Sequence, residues 1–225
     1  MHYTLFHGSD HIIEKPVYDG GKPYNDYGKG FYCTESLDMA KEWAVSKDRN
    51  GYANKYFFDS EGLAILNLNS TDYTILHWLA ILLENRKFAI NAPLALQARD
   101  YILANFLIDY QNYDCIIGYR ADDSYFSFAQ DFISGAISYR QLSNAMYLGK
   151  LGQQFVLKSQ EAFNRIVFDD YYIAEESVWY ARRVKRDKTA RTQYLDKERY
   201  ALIPGDIFIT QILTEEMKAN DPRLR

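Results

Sequence analysis

Several familiar chemistries lack their residues in this chain of 225 amino acids. There is no G-x-G-x-x-G, so any dinucleotide must bind without a Rossmann phosphate loop. Gly28-Lys29 lacks both the earlier glycine and the following Ser or Thr of a P-loop. Cysteine is scarce: Cys33 and Cys115 sit in apolar, strand-like contexts without metal or redox spacing. They read as buried thiols of a reducing compartment rather than a disulfide. No apolar run reaches the ~18 residues of a membrane span, and no apolar leader core follows Met1. The expected location is therefore the cytoplasm. Positive charge is not in excess. A net charge of −4 and a pI near 5.6 exclude a surface that seeks nucleic acid as a whole. Internal repeats and low-complexity tracts are also missing.

Aromatic residues are abundant, with 20 Tyr and 13 Phe. Tyrosine lines cores and pocket rims because its ring is apolar and its hydroxyl needs a partner. The length suits one well-buried core. We expect a first unit over residues 1–170 and a C-terminal segment over 171–225 packed on it.

Tyr3 to His7 reads as a strand, and Gly8-Ser9-Asp10 ends it in turn chemistry. Residues 10–27 read as a loop. Lys29 to Thr34 reads as a strand, followed by a helix whose cap is Thr34 or Ser36 and whose packed face carries Leu37, Ala40, Trp43 and Ala44. Leu63 to Leu68 is apolar and extended. Ser70 then caps a helix through Leu83, and Asn91-Ala92-Pro93 starts another. This pair predicts a helical insertion at about 70–111. Asp114 to Tyr119 is a buried-type strand, and helices follow from Tyr125 to Gly135 and from Ser138 to Gly149. Phe155-Val156-Leu157 is a strand with Gln153-Gln154 at its start, and Arg165 to Phe168 is another. Residues 175–200 read as a long helix and Ile207 to Leu213 as a final strand or buried segment.

His7 and His11 are four apart, as zinc ligands on a helix would be, but they flank a turn, and no metal is expected. Cys33 with His7 could be drawn as nucleophile and base, without companion residues to support it. Asp122 and Asp123 fit a helix start; their place after a strand also makes them candidate site acids. Residues 179–200 hold eight Lys/Arg against three acids, a segment at +5, which leaves the rest of the chain at −9. That segment is a solvated helix face or a dock for an acidic or phosphate-bearing partner.

One composite pattern goes further. His7-Gly8-Ser9 closes a strand, Gly28-Lys29-Gly30-Phe31-Tyr32 opens the next, and a helix with Ala40 and Trp43 follows. This order resembles the nicotinamide pocket of the ADP-ribosyltransferase superfamily, in the His-Tyr-Glu branch of diphtheria toxin and the poly(ADP-ribose) polymerases. The likeness spans residues 3 to about 168 and is greatest to a little-characterised bacterial family with Asp-(Tyr/Phe)-Gly-Lys-Gly-Phe-Tyr, here Asp26 to Tyr32. It implies an α+β fold of two small, mostly antiparallel sheets around a split NAD cleft. It implies that Gly8 binds the carboxamide through its backbone, that His7 bonds the nicotinamide ribose and that Tyr32 stacks on the cationic ring. Ser9, Gly30, Phe31 and Trp43 complete the expected NAD site. Where the superfamily carries a catalytic glutamate, this chain has Gln154, an uncharged hydrogen-bonder that is no base. Asp122 or Asp123 is then the nearest substitute acid. The implied activity is NAD-dependent mono-ADP-ribosyl transfer to a protein or nucleic acid, in a toxin, defence or regulatory setting that invites a neutralising partner protein. An NAD glycohydrolase and a non-catalytic NAD or ADP-ribose binding module remain alternatives on the same pocket.

Overall fold

Leu5 and Phe6 are consecutive in sequence and both buried, so the strand that carries them, β1 (His2–Ser9), is covered on both faces. Leu5 packs into an aromatic core with Tyr56 and Phe58, while Phe6 packs against Ala40 and Ala53. The computed structural model describes residues 1–87, 90–121, 123–148, 152–201 and 203–224, with backbone alone at 123–125. Asp122 lies outside the described residues, as does the side chain of Asp123.

The fold is α+β, with two sheets and eight α-helices among the described residues. In the first sheet β3 (Gly51–Asp59) lies between β1 and β7 (Ile166–Ala174), antiparallel to both. The sequence reading assigned no strand at β3. Its buried residues fall on both faces, Ala53 in one cluster and Tyr56 and Phe58 in another, while Phe57 is exposed, so no clean polar alternation marks it. The second sheet runs β2 (Phe31–Cys33), β6 (Gln153–Leu157), β5 (Cys115–Tyr119), β4 (Ile65–Asn67). Only β4 and β5 are parallel. A parallel pair needs a long crossover. Helices α2 (Ile75–Asn85) and α3 (Pro93–Phe106) supply it, so the expected helical insertion is the β4–β5 connection.

Helix α1 (Leu37–Ala44) is capped by Ser36, whose Oγ accepts the Met39 N–H at 3.3 Å. Helix α2 starts at Thr74, not at Ser70: Thr74 and His77 form a reciprocal capping box. Trp78, Leu79 and Leu82 of α2 anchor the larger core. Cys33 and Cys115 are buried free thiols in the smaller, inter-sheet core.

The C-terminal part begins with α7 (Glu176–Gln193), extended by a π turn at Tyr194–Arg199. Strand β7 passes through residue 170, so it ties this part to the sheet. Trp179 packs on Ala44 and Val45, and Arg186 reaches the buried Glu42 at 2.7 Å. The expected final strand is instead a helix, α8 (Ile209–Thr214). Ile209 and Ile212, three residues apart, both enter the larger core, which is the helical spacing. Among the described residues no helix is long and apolar enough to cross a membrane.

Thr74→Ala should lower the unfolding free energy by about 1 kcal/mol, the cost of losing a cap. Ser70→Ala should stay within about 0.5 kcal/mol, as an ordinary surface change does. Urea denaturation checks the order, and the reverse order would place the start of α2 at Ser70.

Candidate functional site

Beside their shared core, one isolated backbone bridge joins the two sheets among the described residues. Phe6 donates its N–H to Thr34 O at 2.7 Å, and Thr34 donates back to Phe6 O at 2.9 Å. An antiparallel ladder would continue with Gly8 opposite Tyr32. It does not. The Tyr32 carbonyl is taken by Nδ1 of His7 at 2.7 Å. Backbone groups of one strand point to alternate sides, so Gly8 turns its N–H and C=O to the same side as Phe6, away from β3. The opened ladder leaves this donor and acceptor facing the split between the sheets. Gly8 has no side chain for a packing reason: a Cβ there would lie 2.1 Å from Ala40 O, because α1 packs directly on the strand.

A cleft of about 1010 Å³ fills the split. Its lining brings together His7, Gly8 and Ser9 of β1, Gly30, Phe31 and Tyr32 around β2, Trp43 of α1 and Gln154 of β6. These are the eight expected residues of the three separated motifs. Asp122 and the Asp123 side chain lie outside the described residues.

The His7 tautomer follows from its partner. A carbonyl only accepts, so Nδ1 carries the proton and Nε2 is left as an acceptor. The ring stacks on Phe31 at 4.3 Å between centroids. Phe31 is itself nearly buried, so it reaches the cleft mainly as the support under His7. Burial lowers the His7 pKa from 6.5, which keeps the imidazole neutral. His11 turns instead to Asp10, at 2.7 Å. Cys33 is fully buried and its thiol is pushed up by that burial, which leaves no thiolate for the His7 pairing.

Tyr32 shows its ring to the cleft while its hydroxyl is occupied. It donates to Gly28 O at 2.6 Å and accepts the Tyr27 N–H at 3.0 Å. Gly28 turns with a φ of 72°, a conformation that favours glycine. Lys158 fastens the same turn, with Nζ 2.6 Å from both Tyr27 O and Lys29 O. Its burial lowers its pKa to about 8. Tyr27 donates to Tyr119 O at the end of β5, at 2.6 Å. Asn54, buried on β3, holds the start of the long loop by donating to Ser9 Oγ and accepting the Ile13 N–H.

The lining residues not expected from the sequence include Asp26, Arg86 and Arg120. Asp26 is 5% exposed. Its Oδ2 accepts the Ala121 N–H at 2.8 Å, and its Oδ1 lies 3.4 Å from Arg86. Burial pushes its carboxyl up from the usual range, while Ala121, Arg86, Arg120 and Gln154 pull it back. Asp26 stood inside the quoted Asp-Tyr-Gly-Lys-Gly motif, so its position was the available signal. Arg86 and Arg120 carried none, because α2 and the end of β5 are far apart in the chain. The Arg120 guanidinium lies over the Trp43 ring at 4.2 Å. Trp43 therefore already has a cation against its ring, while its buried Nε1 donor finds no partner among the described residues.

The family model described as "Protein of unknown function (DUF3990)" matches residues 3–168. The chain belongs to that family. Every one of the eight converging residues falls within the matched range. No curated protein and no solved structure matches the chain.

The depressed His7 pKa has a sign. The unfolded chain takes up a proton near 6.5 and the folded ring resists it, so stability is full above that pH and falls as pH drops through it. Urea unfolding at about pH 7.5 and about pH 5.5 should show a loss of stability in the wild type that is smaller in His7→Gln, since only the former titrates there. Equal losses would mean the ring is protonated in the folded state.

Proposed function

We propose that this chain is an NAD-dependent mono-ADP-ribosyltransferase with an ADP-ribosyltransferase-like arrangement of its split sheets. The observation that carries the reading is the convergence of His7-Gly8-Ser9, Gly30-Phe31-Tyr32, Trp43 and Gln154 on one cleft. Its chemistry suits the ligand. The free N–H and C=O of Gly8 match the acceptor and donor of a primary carboxamide. Nε2 of His7 accepts from a ribose hydroxyl. Tyr32 offers a ring for the pyridinium, where a cation on an aromatic face gains roughly 0.5–2 kcal/mol. Lys15, Lys22, Arg86 and Arg120 line the same cleft against two acids, Glu14 and Asp26, an excess of positive charge that suits a diphosphate.

In the reaction the C–N bond between ribose and nicotinamide breaks. Both bonding electrons leave with the ring nitrogen, so the pyridinium departs as neutral nicotinamide. The ribose is left as an oxocarbenium-like cation, which a lone pair of the acceptor captures. The acceptor's proton passes to solvent, because Gln154 cannot take it. An amide in that position favours single transfer over polymer extension. The acceptor is a protein or nucleic acid, and its class is read from where label goes.

Incubation with labelled NAD and cell extract tests the reading, with free nicotinamide followed in parallel. Label on macromolecules is the expected result. Nicotinamide release without label would make the protein a glycohydrolase. Thermal stabilisation by NAD with neither product would make it a binding module, and no stabilisation at high NAD would remove NAD from the cleft.

Binding assays on two variants probe the stack. Tyr32→Ala should weaken NAD binding several-fold, whereas Lys29→Ala should change it little, since Lys29 is exposed and pairs with Asp19 at 2.8 Å. Equal small effects would exclude ring stacking by Tyr32.

A further inference from the structure

The third position of the cleft holds an unusual polar arrangement. Gln154 is 5% exposed, and its Oε1 has no hydrogen-bond partner among the described residues. A buried acceptor left unpaired costs about 1–3 kcal/mol, so such an atom in a cleft wall marks the place of an absent donor. Its amide nitrogen is not free. Nε2 lies 3.4 Å from Asp26 Oδ2, a long hydrogen bond.

Asp26 determines which way that amide points. Asp26 touches the Ala121 N–H, the Arg86 guanidinium and the Gln154 amide. The Arg86 guanidinium beside Oδ1 and the Ala121 N–H on Oδ2 both favour the carboxylate form. A carboxylate accepts only, so Gln154 must present nitrogen to it and turn Oε1 into the cleft. The negative charge behind the N–H also polarises the amide and strengthens its oxygen as an acceptor.

Building on the NAD reading of the cleft, we propose that Asp26 is a positioning residue that acts through Gln154, so that the two together take the part of a single carboxylate toward the ribose of the bound dinucleotide. Gln154 Oε1 accepts a ribose hydroxyl. Asp26 holds that oxygen in place and supplies the negative charge that balances the oxocarbenium as nicotinamide leaves. No proton is transferred to either residue. The acid of the site thus comes from the turn before β2 rather than from β6.

This arrangement reverses a simple expectation. If the cleft merely lacked an acid, Gln154→Glu would raise turnover. With Asp26 3.4 Å away, Gln154→Glu places two carboxylates in contact, and like charges so close cannot both ionise easily. Q154E alone should therefore turn over NAD more slowly than the wild type. Asp26→Asn keeps an oxygen for the Ala121 N–H but removes the charge. D26N should lower kcat for nicotinamide release by about 10²- to 10³-fold, the usual effect of losing one electrostatic stabiliser, with little change in NAD affinity. The exchange variant D26N/Q154E restores one carboxylate and one amide, and should recover most of the lost rate.

The experiment measures nicotinamide release from NAD by all four proteins in the presence of cell extract as the source of acceptor, with NAD affinity and thermal unfolding of the purified proteins measured alongside. A fall in kcat for both single variants with recovery in the double variant supports the dyad. Turnover unaffected by D26N, or Q154E faster than the wild type, overturns it while leaving the NAD reading intact. Wild-type protein that binds NAD without releasing nicotinamide also overturns it, since the dyad would then not replace the acid. No interaction between the wild type and NAD removes the ligand assignment itself, and the dyad with it. If D26N does not fold, the Q154E comparison alone decides, because the two accounts give it opposite signs.

Discussion

The pair of hydrogen bonds between Phe6 and Thr34 is the hinge on which the cleft depends. They form an isolated bridge between β1 and the residue that follows β2. At the next position His7 inserts its imidazole and takes the Tyr32 carbonyl that Gly8 would otherwise have bonded. One side chain therefore does three things. It ends the ladder, it fixes its own tautomer and it leaves a strand edge unpaired inside the protein. Unpaired strand edges are ordinarily covered or paired. Here α1 covers the face, through contact with Gly8 too close for any Cβ, while the edge itself stays open.

Around that hinge, buried polar groups hold a long irregular loop in one shape. A loop this long without secondary structure is uncommon in a compact domain unless it serves a site. Asn54 and Tyr56 of β3 hold its beginning at Ile13, and Lys158 holds its end at Tyr27 and Lys29. The strand that supplies Asn54 is the centre of its sheet, so the loop is tied to a rigid element. Lys158 bears the cost of partial burial, seen in its lowered pKa, and offsets it with two carbonyl contacts.

What the sequence could tell divides along local and long-range lines. β1, β2, α1, α2, α3, β5 and β6 announce themselves by turn residues, caps and periods contained within each segment. The site residues taken from short motifs, from His7 to Gln154, also fall in one cleft because each motif sits on a recognisable strand. β3 escaped because its buried residues fall on both faces while Phe57 is exposed, which leaves no clean alternation. The cap of α2 was misplaced by four residues, because Ser70 and Thr74 are both plausible caps and only His77 decides between them. α8 has six residues, too few for its period to separate helix from strand. Arg86 and Arg120 could not be read at all. One is the C-cap of α2 and the other follows β5, and only the crossover brings them to Asp26.

The charges of the cleft then explain why an amide is tolerable where an acid would be expected. Lys15 and Lys22 are exposed, Arg86 and Arg120 half-buried, and Asp26 buried. A carboxylate on β6 would stand in the same buried place as Asp26, and burial penalises each charge separately. One carboxylate is held there by Ala121 and Arg86; a second in contact with it would oppose its ionisation. Placing the charge on the turn and the acceptor on the strand avoids that conflict. It also couples Asp26 to the segment that carries Tyr32, since the Tyr32 hydroxyl holds the next two residues, through the Tyr27 N–H and the Gly28 carbonyl. Whatever displaces the ring of Tyr32 must then disturb the turn that bears Asp26, so the position of the ring and the position of the charge form one mechanical unit.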